Sequence, residues 1–168
     1  MADRRSFGIA TVLAAGLGWA VSATAAVLAT HGDWQVLALP EGGCAVGQIV
    51  QGRRTGVTLL EVLISDAGRG DGAAVIALRV PTGAFLPDGI AYRHEGAARH
   101  AVALEWQSCD ARRCTATGRI SAAEAARLRA GDRVIAGYRP LPDAPVLNVP
   151  LSLRGLTRAW SDALACPS

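Results

Sequence analysis

From Asp33 onward, apolar and polar positions alternate with a period near two over short segments, broken by Gly, Pro and Asp. That is the signature of half-buried strands joined by turns. "DWQVLAL" sets Trp34, Val36 and Ala38 on one face, and "PEGG" is a turn leading into "CAVGQIVQ". "VTLLEVLIS" and "AAVIALRV" are dense in Val, Ile and Leu, and the "AGRGDGA" between them has the Gly and Asp of a hairpin loop. "GIAYRHEG", "HAVALEWQSC", "CTATGRIS", "DRVIAGYRP" and "VLNVPLSL" follow. Nine strands at short spacing predict an all-β chain folded as an antiparallel two-sheet sandwich.

Two short peripheral helices interrupt the strands. In "SAAEAARLRAG", Ser121 stands at the N-cap and Glu124 three places later, a reciprocal capping box, with Gly131 where a left-handed C-terminal residue is wanted. Its alanine-rich content and Leu128 predict a helix on a sheet edge. "LTRAWSDAL" spaces Leu156, Trp160 and Leu164 at i, i+4 and i+8, one apolar stripe that should seal an end of the sandwich.

The N-terminus sets the compartment. "MADRR" is a short basic start, "FGIATVLAAGLGWAV" an uncharged apolar run, and "SATA" ends in an A-x-A pattern at Ala23 and Ala25. That is the layout of a secretory signal peptide over residues 1–25, with residues 26–168 as the exported domain. The alternative is a retained anchor, since no charge occurs from Ser6 to Thr30 and about 20 apolar residues span a bilayer. Ser22, Thr24 and the alanines dilute the run where an anchor should be most apolar, which favours cleavage. Both readings put the domain outside the cytoplasm: periplasmic or at the outer surface if cleaved, facing the periplasm from the inner membrane if not.

Residues 26–168 are enough for one domain with a real core. Removing Asp3, Arg4 and Arg5 takes the formal charge from +3 to +2, and the remaining arginines are scattered among acids. This is neither a nucleic-acid stripe nor a polybasic membrane patch. Every basic residue other than histidine is arginine, so a lysine Schiff base is excluded.

The four cysteines, Cys44, Cys109, Cys114 and Cys166, all lie in the exported part. An even count in an oxidising compartment reads as two disulfides, with three connectivities open. Cys109 and Cys114 in "SCDARRC" are the local pair, because a turn between antiparallel strands returns the chain to bonding distance. By default Cys44 meets Cys166. Zinc would want C-x2-C units or suitably spaced histidines, and His94 and His100 are not so placed. A redox centre would normally be C-x-x-C on a helix N-terminus, whereas this is C-x4-C between strands.

No serine lies in a G-x-S-x-G elbow and no glycine run matches a phosphate-binding loop, so the sequence offers no catalytic residue, cofactor or metal site. His31 sits near the expected mature terminus, where a flexible solvated position is the ordinary reading, and His94 with Glu95 reads as a strand end and turn. Arg69-Gly70-Asp71 matches an adhesive tripeptide, yet a hairpin needs the same Gly and Asp. The pairs Arg53-Arg54 and Arg112-Arg113 are exposed basic tips able to meet anions, or simply solvated loop ends.

Read in order, the chain resembles the invasion-associated locus B family of exported alphaproteobacterial proteins. The similar segments are "DWQV" at Trp34, "VPTGAFLPDGI" from Val80 to Ile90, "LEWQSCDARRCTATG" with Cys109 and Cys114, the helix with "LRAGDRV", and "VPLSLRGLTRAW" from Val149 to Trp160. The resemblance implies an immunoglobulin-like β-sandwich, export, and a label tied to host-cell invasion, and it carries no catalytic residues. The export signal, paired cysteines, sandwich pattern and lack of a catalytic constellation point to a non-enzymatic binding protein whose partner is an envelope protein or a host-surface component. Many members have a cysteine shortly after the first tryptophan that pairs near the next strand. Here "QVLALPEGG" leads only to Cys44, and Cys166 is the substitute partner.

Overall fold

The computed structural model describes residues 25–66, 71–97 and 100–167. Residues 1–24 of the leader expected over residues 1–25, and Arg69 and Gly70 of the adhesive-like tripeptide, lie outside the described residues. Among the described residues no helix is long and apolar enough to cross a membrane.

Ten antiparallel strands form the fold: β1 (Val27–His31), β2 (Trp34–Ala38), β3 (Cys44–Gln51), β4 (Thr58–Asp66), β5 (Ala74–Pro81), β6 (Ile90–His94), β7 (Ala101–Cys109), β8 (Arg113–Ile120), β9 (Arg133–Tyr138) and β10 (Leu147–Ser152). Helix α1 (Ala122–Ala130) follows β8, and α2 (Leu156–Leu164) follows β10. The strand order is β1-β2-β3-β4-β5-β8-β7-β6-β9-β10. β7 changes partners half-way: Ala101–Leu104 pairs with β6, and Glu105–Cys109 pairs with β8. The ladder turns there and yields two layers that share β7.

The layers face each other across one core, which Trp34, Leu60, Val62 and Leu78 enter from the larger sheet and Tyr92, Val134, Val149 and Leu151 from the smaller. β4 and β5 bury every second residue, as the period-two pattern requires. Two side chains stitch the layers: the Trp34 indole N–H donates to the Ser152 carbonyl at 3.0 Å, and the Tyr138 hydroxyl to the Leu59 carbonyl at 3.0 Å. The expected antiparallel sandwich with two peripheral helices is therefore present.

Several local expectations change. β1 is a tenth strand, joined to β2 by a tight turn through Gly32 and Asp33 with His31 opposite Trp34. His31 is thus fixed in a sheet, and its Nε2 lies 2.6 Å from the Asp162 carboxylate of α2. The capping box is half formed: Ser121 Oγ accepts the Glu124 N–H at 3.2 Å, while the Glu124 carboxylate turns away to bind Tyr92 and His94. Gly131 is extended, at φ −88°, and is needed for closeness: a Cβ there would lie 3.1 Å from Leu153 and 3.3 Å from the Arg127 carbonyl. α1 rests over the end of β6, an interior strand, and against α2, not along a sheet edge. The stripe of α2 buries Leu156, Ala159 and Trp160, whereas Leu164 is exposed and Ala163 packs against the core in its place. α2 packs on β1, β2 and β3 and closes that end of the sandwich.

Candidate functional site: staples, a buried polar clip and a basic cleft

Both cysteine pairs are disulfides. Cys109 and Cys114 are directly opposed in the β7–β8 hairpin, with Cα atoms 4.0 Å apart. The Asp110 carboxylate shapes the turn between them by accepting the N–H groups of Arg112 at 2.7 Å and Arg113 at 2.9 Å. Those two bonds stabilise the ionised form and hold Asp110 below the usual carboxylate range. Cys44, at the start of β3, bonds to Cys166 just beyond α2, across 122 residues, with Cα atoms 5.9 Å apart. Among the described residues no cysteine is free.

The three histidines do not converge. His31 pairs with Asp162, His94 with Glu124, and His100 is exposed, its N–H donating to the Ala97 carbonyl. The second pair belongs to a polar cluster that the sequence did not reveal. One oxygen of Glu124 accepts from the Tyr92 hydroxyl at 3.1 Å and lies 2.8 Å from His94 Nε2, while the other faces Arg127 at 3.5 Å. Burial first, then the negative charge of Glu124, pushes the Tyr92 hydroxyl well above its ordinary range. The signal was present as Glu124 one helical turn after a strand-helix junction, but its distance of 30 residues from His94 hid the partner. With both side chains 13 % exposed and His94 Nε2 occupied, the arrangement ties α1 to β6.

The basic pairs do come together. β3 runs into the 52–57 turn and β4 returns from it, so Arg53 and Arg54 stand at the end of the sheet where β5 finishes and β8 begins. Arg112 in the β7–β8 turn and Arg113 at the start of β8 lie at that same end. Between them, on β5, Arg79 pairs in register with Glu61 on one side and Thr115 on the other. A cavity of about 290 Å³ opens here, walled by Val57, Thr58, Pro81, Arg79, Arg112 and Arg113. Glu61 is held by Arg113 in an ion pair. Arg53, Arg54, Arg79 and Arg112 make no ion pair among the described residues. Asp71 is engaged elsewhere as a turn residue, accepting the Ala73 N–H at 3.0 Å and pairing with Arg119 at 2.9 Å.

The family profile described as "Invasion associated locus B (IalB) protein" matches residues 34–163. The chain belongs to the invasion associated locus B family. Its strand β2 and helix α2 mark the two ends of the match. Among solved structures it is similar to invasion associated protein b from Bartonella henselae, with a TM-score of 0.69 at 18% sequence identity, covering 82% of this chain and 95% of that one. At that identity the likeness concerns the fold. No curated protein matches the chain.

Proposed function

We propose that this member of the invasion associated locus B family is an exported envelope protein that acts by binding an envelope or host-surface component, held in shape by two disulfides. The observation that carries the reading is the pairing of all four cysteines. Such bonds form and persist in oxidising compartments and are rare in the cytosol. Membership in a family named for invasion, and a similar fold in a Bartonella protein titled as invasion associated, support a role in host contact or envelope interaction. The histidines support binding over turnover, since the two that meet carboxylates serve as clips between elements.

The deciding experiment is the intact mass of the protein from its native envelope, before and after reduction and alkylation. Loss of residues 1–25 with four thiols released only on reduction is the expected result. A full-length N-terminus would favour the alternative, an accessory subunit anchored in the inner membrane by the uncharged run from Ser6 to Thr30. Free thiols before reduction would overturn the exported, stapled reading. Turnover of a substrate abolished by one polar substitution would overturn the binding reading.

A further inference from the structure

We infer that the cleft between the β3–β4 turn, the end of β5 and the β7–β8 turn is a binding site for phosphate-bearing ligands. This deepens the binding-protein reading and rests on it. Three separate stretches of sequence supply the charge: Arg53 and Arg54, Arg79, and Arg112 and Arg113. Two carboxylates stand against these five arginines: Glu61, in the cavity wall, is paired with Arg113, and Asp110, in the β7–β8 turn, accepts two backbone N–H groups. The end of the sheet therefore has a surplus of positive charge at a concavity, where a field is focused.

The type of cation narrows the ligand. A guanidinium presents a planar fork of N–H donors that matches phosphate oxygens in pairs, and arginine is the preferred residue where such bidentate contacts are made. Arg79 and Arg112 line the cavity, the first half-buried and the second exposed, while Arg53 and Arg54 are exposed on the turn at the same end of the sheet, so two forks face the cavity and two more add positive charge at that end. The cavity has room for a phosphate with a small substituent, and Val57 and Pro81 in its wall suit a carbon moiety attached to that phosphate. Both a soluble phosphate and the headgroup of an anionic phospholipid present this chemistry.

The test uses the oxidised protein purified from the envelope. Its affinity is measured by titration calorimetry for inorganic pyrophosphate and for citrate, and by co-sedimentation with vesicles of phosphatidylcholine with or without phosphatidylglycerol. Binding of pyrophosphate or of phosphatidylglycerol vesicles, weakened at least 10-fold by Arg79→Gln and by Arg53→Gln/Arg54→Gln but unchanged by Arg158→Gln on α2, is expected. Binding should also fall as salt rises. The double variant lies on an exposed turn, so its effect is not confused with unfolding. Vesicle binding alone assigns a lipid headgroup, and pyrophosphate binding alone a soluble phosphate. Binding of neither probe, equal binding of citrate, or binding indifferent to the cleft variants overturns the inference. Such a failure leaves the exported, stapled reading intact, because the mass measurement decides that separately.

Discussion

Glu124 holds three side chains with one carboxylate. Tyr92 and His94 project from β6 toward α1, and Arg127 reaches back from the next turn of the helix. Removing the carboxylate would leave a buried hydroxyl and a largely buried imidazole without their acceptor, a loss of roughly 2 kcal/mol for a charged buried partner. Glu124→Ala should lower the urea midpoint by a corresponding amount, and Glu124→Gln, which keeps an acceptor, by less. The same cluster sets an alkaline limit. Because folding raises the Tyr92 hydroxyl above the ordinary tyrosine value of about 10, the folded chain keeps a proton that the unfolded chain releases above that pH. Its contribution is complete below pH about 10 and is lost as pH rises further. Burial pushes Tyr138 in the same direction. Urea denaturation at pH 9 and pH 11 should therefore show a fall in stability, and Tyr92→Phe should reduce the size of that fall.

At the scale of elements, α2 enters through Gly155, whose φ of +95° and contact with the His31 carbonyl leave no room for a Cβ. Facing it, a Cβ on Gly32 would lie 2.5 Å from the Arg154 carbonyl. Gly155→Ala must push the β1–β2 turn off the helix and should destabilise by more than about 1 kcal/mol, read as a shift in thermal midpoint. At its other end, α2 is fastened by Cys44–Cys166. Loop-closure entropy assigns about 5 kcal/mol to that bond and about 2 to the five-residue Cys109–Cys114 loop. Cys44→Ala/Cys166→Ala should thus lower oxidised stability more than Cys109→Ala/Cys114→Ala, and urea curves of the two double variants decide it. These elements also show what a sequence makes legible. Nine strands followed from period-two alternation, α2 from its apolar stripe, and α1 from its capping residues and alanine content. β1 did not, since "VLATH" continues the alanine-rich leader and leaves Val27 and Leu28 exposed. Its one signal was Gly32-Asp33, a two-residue hairpin turn between His31 and Trp34. The basic cleft was half legible: each arginine pair stood out, but their common end depends on strand register that no local pattern encodes.

At the scale of the molecule, the described residues form one ladder whose terminal strands are β1 and β10, with β7 shared by the two layers. The expected cleavage site after Ala25 lies beside the first of those terminal strands. The Ala26 carbonyl accepts the Ala38 N–H at 2.9 Å, so the first residue after the expected cleavage site already takes part in the ladder. Cleavage after Ala25 keeps every strand. A start seven residues later, at Asp33, removes β1, the His31–Asp162 contact and one of the strands on which α2 rests. The buried face of β2 would remain covered, because Trp34 and Val36 pack into the common core and Val27 and Leu28 contribute little buried area. The loss is therefore of ladder bonds and one side-chain clip, each worth about 1 kcal/mol net. A chain beginning at Ala26 keeps every described strand and sets the reference urea midpoint. One beginning at Asp33 should still fold, unfold in a single transition, and be weaker by a few kcal/mol. Equal midpoints for the two starts would mean that β1 is an ornament of the sheet and that α2 is held by Cys44–Cys166 and β2–β3 alone.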